Sequence, residues 1–228
     1  CSSAGGVLKY NELFQNGGAA ISLCEKADPL VACNVVRDGE DAGILVYDDA
    51  LGRLEGNNIH SNRTYGIATL RGGAPRAHAN WIHGRRQGGV LCDEGGAGDF
   101  ARNEIESNAK SGVTLRGMCR PRIRDNRIHN GRDAGIHAML LGGGLVEGND
   151  IFSNAHAGIA VETGAALFVR RNRIHDGLQS GLFFFENALG EVRENEIWGN
   201  KEAGLQITEG AEPLVQSNVF RQQSNEKG

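Results

Sequence analysis

The chain has 228 residues, enough for one sizeable domain or two small ones. Its 34 glycines are roughly double the usual share, yet 39% of residues are hydrophobic and 23% charged, which excludes a disordered glycine-rich linker. A formal net charge of −4 leaves no basic stripe for nucleic acid, and no apolar run is long enough to span a membrane.

The opening CSSAGGVLKY lacks the charged and apolar segments of a signal peptide. The five cysteines (Cys1, Cys24, Cys33, Cys92 and Cys119) form no CxxC pair, which argues against a disulfide framework or a zinc site. Free thiols in a reducing compartment, and hence an intracellular (cytoplasmic or nuclear) protein, are expected.

An Asn followed two residues later by an aliphatic or aromatic residue recurs at Asn11, Asn34, Asn57, Asn80, Asn103, Asn126, Asn149, Asn172, Asn195 and Asn218, always 23 apart. Each repeat reads the same way along the chain when its Asn is counted as zero. Position −3 is apolar (Leu8, Val31, Leu54 through Val215), and position +2 is apolar and mostly Ile (Ile59, Ile82, Ile105 through Ile197). Positions +10 and +12 are apolar with a β-branched bias (Ile21 and Leu23, Ile44 and Val46, Ile159 and Val161), with Thr69 and Ala138 the weak members of the +12 column. Alternation at a period of two with no helical period beside it predicts three short strands per repeat. One repeat cannot bury its own apolar residues, so the repeats must stack. The fold predicted is all-β, a right-handed parallel β-helix of about ten coils over residues 1–221, with a polar C-terminal tail at 222–228.

The turns carry the Gly and Asn. Position +9 is Gly from Gly43 to Gly204, with Ala20 the exception, and a glycine column means positive φ or close backbone approach. The Asn column is assigned to the other tight corner, where Asn tolerates the left-handed region and stacked amides can form a ladder. A longer period lies inside the first. Asn16, Asn62, Asn108, Asn154 and Asn200 alternate at +5 with Gly39, Arg85, Gly131 and Gly177, and at +18 Pro29, Pro75, Pro121 and Pro213 alternate with Gly52, Gly98, Gly144 and Gly190, with Leu167 the one break. The unit is therefore a 46-residue pair of coils.

Asn149-Asp150-Ile151, Ala157-Gly158-Ile159 and Asn172-Arg173-Ile174-His175-Asp176-Gly177, followed by Ser180-Gly181-Leu182 and Glu186, resemble the double repeat of the β-helix F-box only proteins of the ten/eleven type. That repeat belongs with the carbohydrate-binding and sugar-hydrolase β-helices. The resemblance extends over nearly the whole chain and implies a protein-binding domain, the substrate-recognition part of a ubiquitin ligase subunit with no chemistry of its own. The implied partner is a protein substrate, with the ligase adaptor reached only through an F-box that this chain does not contain.

Acids recur at +13 to +15 (Glu25, Asp48, Asp49, Asp93, Glu94, Glu162, Glu186, Glu209), spread along the rod and interrupted by Arg71, Arg116 and Leu140. They read as a solvated edge, with no catalytic residue, metal site or cofactor expected. The outward positions +11 and +13 hold Leu45, Tyr47, Leu91, Asp93, His137, Met139, Phe183 and Phe185; with Arg116 they form the expected partner-binding surface, since aromatic, Met and Arg side chains are enriched at interfaces. The alternative is a carbohydrate-active β-helix, a polysaccharide lyase, epimerase or hydrolase. It would need an acid pair, a base and an Arg in one groove, for which Asp93, Glu94, Arg116 and His137 qualify. No capping helix follows from the sequence. Further coils, another domain, or end-to-end or edge pairing with a second chain is expected at the solenoid's ends.

Overall fold

The computed structural model describes residues 4–84 and 86–222; Cys1, Arg85 and nearly all of the expected 222–228 tail lie outside the described residues. All regular elements among these residues are strands, most of them three residues long and a few five. They form three parallel sheets. The first runs from Val7–Lys9 to Leu214–Gln216 with ten strands, the second from Glu12–Phe14 to Val219–Phe220 with ten, and the third from Ile21–Leu23 to Leu205–Ile207 with nine. Each strand pairs with its equivalents one coil away, as in Arg76↔Asp99, Ile82↔Ile105 and Val90↔Val113. The expected β-helix therefore forms, with nine complete turns and a tenth lacking its third strand.

The core is a set of inward columns. Ile59, Ile82, Ile105, Ile128, Ile151, Ile174 and Ile197 stack at +2, facing Ile44, Ile67, Val90, Val113, Ile136 and Ile159 at +10. Phe100 and Phe184 are the largest fully buried side chains. Every coil adds the same apolar layer, each side chain contributing about 1.5–3 kcal/mol on burial.

The Asn ladder forms as expected, but its corner works differently. From Asn34 onward each Asn amide oxygen accepts from both the backbone N–H and the side-chain N–H of the Asn below, as Asn126 Oδ1 does from Asn103 N and Nδ2, both at 2.9 Å. Its Nδ2 also donates to the −3 carbonyl of the preceding coil, Phe100 O at 2.9 Å for Asn126. The left-handed residue is not the Asn but the one before it: Tyr10, Cys33, Gly56, Ala79, Arg102, Asp125, Gly148, Arg171, Glu194 and Ser217 all have positive φ. Such a bend costs a non-glycine residue about 1–2 kcal/mol, and the ladder bonds hold it. A second left-handed row at +4 (Asp38, Ser61, Ser107, Asp176) closes the other end of the second-sheet strands.

The glycine columns have two different causes. At +9 the cause is close approach: a Cβ on Gly112 would lie 2.5 Å from Ile128 Cγ2 and 2.7 Å from Gly135 O. At +18 it is both, for Gly98 has φ +128 and a Cβ there would lie 2.8 Å from Pro75 O. The alternation at +5 is a second ladder, in which the N–H of Gly131 donates to Asn154 Oδ1 at 3.0 Å. It breaks in the coil after Asn80. There Gln87 takes the bond from Asn62 N at 2.9 Å, and the buried Asn108 Oδ1 has no hydrogen-bond partner among the described residues.

Candidate active site

The outward face of the third sheet is two rows of side chains, at +11 and +13. Hydrogen-bonded partners place Leu91, Thr114, His137, Ala160 and Phe183 in the first row. The second row holds Asp93, Arg116, Met139, Glu162 and Phe185. A residue in the first row has as its diagonal neighbour the +13 residue of the next coil, 25 positions on.

This offset builds the site. His137 Nε2 meets Glu162 Oε1 at 3.0 Å, with side chains only 21% and 18% exposed. Arg116 Nε donates to Asp93 Oδ2 at 2.6 Å, and Asp93 is 14% exposed. The other Asp93 oxygen accepts the Glu94 N–H at 2.8 Å. Strand spacing and rise put the Cα atoms of Arg116 and His137 roughly 8 Å apart. Beside them His156 Nδ1 pairs with Asp133 Oδ1 at 2.8 Å, and Ser111 Oγ donates to Asp133 Oδ2 at 2.7 Å. Partial burial pushes the Asp133 carboxyl up; the Ser111 bond, the Ala134 N–H and the two nearby imidazoles outweigh it, leaving the group below its usual value. A shallow cavity of about 160 Å³ opens here, lined by Asp133, His137, His156, Gln179, Phe183 and Phe185, among others.

The nine residues expected on this face do not form one apolar surface. Leu91 is buried, in a small cluster with Ala42, Ala68, Leu45, Tyr65 and Leu70. Tyr47 lies beneath the Arg71 guanidinium, 5.0 Å from ring centroid to Cζ. Phe183 and Phe185 stack at 4.5 Å in a second cluster with Ala134, Ala157 and Ala160. Between the two clusters the face is polar: Asp93, Arg116, His137 and Glu162, with Met139 half-buried among them. Of the groove residues suggested for a carbohydrate-active reading, the structure brings Asp93, Arg116 and His137 to one face. Glu94 is 57% exposed and lies 3.7 Å from Arg71 instead.

Sequence reasoning counted Glu162 among the solvated acids and missed its contact with His137; Asp133 and His156 were not singled out. The signal was available. The diagonal offset of 25 recurs as Glu104–His129, Asp150–His175 and Asp99–Arg124. Among the described residues no three His, Cys, Asp or Glu side chains group to hold a metal ion, and no helix is long and apolar enough to cross a membrane.

No curated protein matches the sequence. The chain is similar to three solved structures of alginate-modifying enzymes. The A-module of the Azotobacter vinelandii mannuronan C-5 epimerase AlgE4 superposes with a TM-score of 0.60 at 12% identity, covering 94% of this chain and 80% of that one. The A-module of AlgE6 from the same organism gives 0.59 at 13%, with the same coverage. A periplasmic alginate epimerase, AlgG, gives 0.54 at 9%, covering 96% of this chain and 67% of that one. These likenesses correct the expectation of a domain without chemistry: three proteins that share its fold over nearly its whole length are carbohydrate-active enzymes. They lend no support to the F-box association. At such identities what is shared is the fold, and its family is shown independently, by a match to the right-handed β-helix region over residues 2–82 and 76–220. The chain belongs to the right-handed β-helix family.

Proposed function

We propose that this chain is a carbohydrate-active β-helix that takes up a uronate-containing polysaccharide on the outward face of its third sheet and removes the proton α to the sugar carboxylate. The observation that carries the proposal is the pairing of Arg116 with Asp93 and of His137 with Glu162 on one half-buried face.

The roles follow from which atoms are free. Arg116 is held by Asp93 through Nε, so its two terminal nitrogens can form a fork on the substrate carboxylate. Neutralising that carboxylate makes the adjacent C–H acidic. With His137 Nε2–H donating to Glu162, Nδ1 is the basic nitrogen, and no described residue occupies it. His137 therefore accepts the proton, and Glu162 orients the ring and stabilises the imidazolium. The electron pair left on carbon delocalises into the carboxylate beneath Arg116. Protonation from the opposite face by solvent water gives the C-5 epimer, His137 returning its proton to the hydroxide left behind. Expulsion of the 4-linked oxygen, which takes the proton from the His137 imidazolium directly or through water, gives a cleaved, unsaturated chain end. Hydrolysis is disfavoured, because it needs two carboxyls free to act on the glycosidic bond, and here both are tied, one to Arg116 and one to His137. The epimerase names of the fold's solved relatives support the same class of reaction.

The test is hydrogen–deuterium exchange at C-5 of polymannuronate in D2O, with absorbance reporting any unsaturated ends. The native chain should exchange; His137→Ala should lose on the order of 10²-fold or more, as for removal of a general base. Arg116→Lys and Asp93→Asn should fall with little change in overall fold. Exchange that survives in His137→Ala, or no exchange by the native chain on any uronate polymer, would sink the proposal.

A further inference from the structure

The first sheet carries a row of charge that the third-sheet site does not use. Its outward −4 position reads, coil by coil, Arg53, Arg76, Asp99, Arg122, Leu145 and Phe168, each hydrogen-bonded in register with the next. Asp99 is taken by Arg124 in a two-bond fork, Nε and Nη2 each at 2.8 Å. That leaves Arg53, Arg76 and Arg122 exposed, and none of the described carboxylates lies within ion-pairing distance of them. Two depressions open along the row, one of about 200 Å³ lined by Arg53 and Arg76 with Asp28, and one of about 430 Å³ lined by Arg122, Arg124 and Arg171 with Asp125 and Glu147. Where the Arg row ends, Phe168 stands 58% exposed, next to a further cavity of about 310 Å³ lined by Leu145 and Arg170.

We infer that the first sheet is a second, non-catalytic track for a linear acidic polysaccharide lying along the solenoid axis. The inference rests on the carbohydrate reading only for its choice of polymer. Asp99 lies between Arg76 and Arg122 and attracts both, but its two oxygens are given to Arg124, so the donors of Arg53, Arg76 and Arg122 are left for an added anion in a protein whose net charge is −4. Coils repeat at about 4.8 Å, comparable with one sugar ring, so a chain bearing one carboxylate per ring can place successive carboxylates opposite Arg53 and Arg76 and pass over Asp99 to Arg122. The planar fork of Arg matches a carboxylate in two parallel bonds. The apolar C–H face of a sugar suits the exposed ring of Phe168 and the apolar wall of its cavity. A nucleic acid fits less well, since Glu55, Asp99, Glu147 and Glu191 interrupt the face and would oppose a denser phosphate chain. Bound there, a long polymer would stay tethered while its ends or loops reach the third sheet.

The test measures binding of polymannuronate, a single-stranded oligonucleotide and a neutral glucan by calorimetry at two salt concentrations. It uses the native chain, the triple variant Arg53→Gln/Arg76→Gln/Arg122→Gln, and Phe168→Ala, each repeated in a His137→Ala background so that turnover does not alter the ligand. The triple variant should bind polymannuronate at least tenfold more weakly, with a flatter salt dependence. Phe168→Ala should weaken binding severalfold with the salt dependence kept, and the glucan should not bind. C-5 exchange on short oligomers should be unchanged in the triple variant. Native-like polymer binding by the triple variant overturns the inference, as does an oligonucleotide bound as tightly through the same three arginines. Arg-dependent binding without any C-5 exchange would overturn the proposed function and leave this inference standing.

Discussion

Replacing Asn126 by Ala cuts the ladder at its middle, and the structure sets what that removes. Among the described residues the Asn126 oxygen is the sole acceptor for the backbone N–H of Asn103, whose own amide keeps a second partner in Ala77 O at 3.0 Å. Phe100 O loses the Asn126 Nδ2 bond, while Asn149 Oδ1 keeps the backbone N–H of Asn126. One buried donor is thus orphaned at about 1–3 kcal/mol, and the lost bonds add about 1 kcal/mol net. A destabilisation of about 3 kcal/mol is expected. Asn11 provides the control, because it is the ladder's first member: its side chain donates to Lys9 O and Asn34 Oδ1, and no described residue donates to it. Asn11→Ala orphans no donor and should cost less than about 1 kcal/mol. Urea unfolding followed by circular dichroism measures both. Equal losses, within about 0.5 kcal/mol, would refute the account of the ladder as the support of the left-handed corner.

Gly112→Ala puts a methyl against Ile128 and the Gly135 carbonyl and should destabilise by about 1–3 kcal/mol in the same assay, the range for overpacking. The Asp99 carboxyl is held below its usual value by the Arg124 fork. A group depressed in the folded state contributes stability that is present above the ordinary Asp value and lost as pH falls through the lower, folded one. Arg124→Gln should therefore flatten the acid limb of stability against pH, and an unchanged limb would count against the fork. Burial pushes the Cys92 and Cys119 thiols up; a disulfide reagent should modify exposed Cys33 first and reach these two only on unfolding, as mass spectrometry would show.

The coil was legible because its cause is periodic. Ten Asn in register and the columns at −3, +2, +10 and +12 each correspond to one inward layer, and stacking leaves such layers no other arrangement. The corner was misassigned for a physical reason: Tyr10, Ala79, Arg171 and Glu194 share no side-chain type, since a backbone bend supported by a neighbour's amide selects nothing at the bend itself. The site was half legible. Asp93, Arg116 and His137 stand out by residue type, but Glu162 becomes visible only through the diagonal step that joins +11 to the next coil's +13. Leu91 shows the opposite failure, because its outward position says nothing of the neighbours on the same face that cover it.

The stacking of glycine on proline has a consequence for length. Gly98 fits over Pro75 and Gly144 over Pro121 because the two residue types alternate up the column. Excising one coil would bring Pro121 directly over Pro75 and set two asparagines together at +5, whereas excising two would restore the alternation in both columns. A solenoid built this way changes size only in double steps: its thermodynamic module is the pair, and any shortened or extended version should fold when the number of coils added or removed is even.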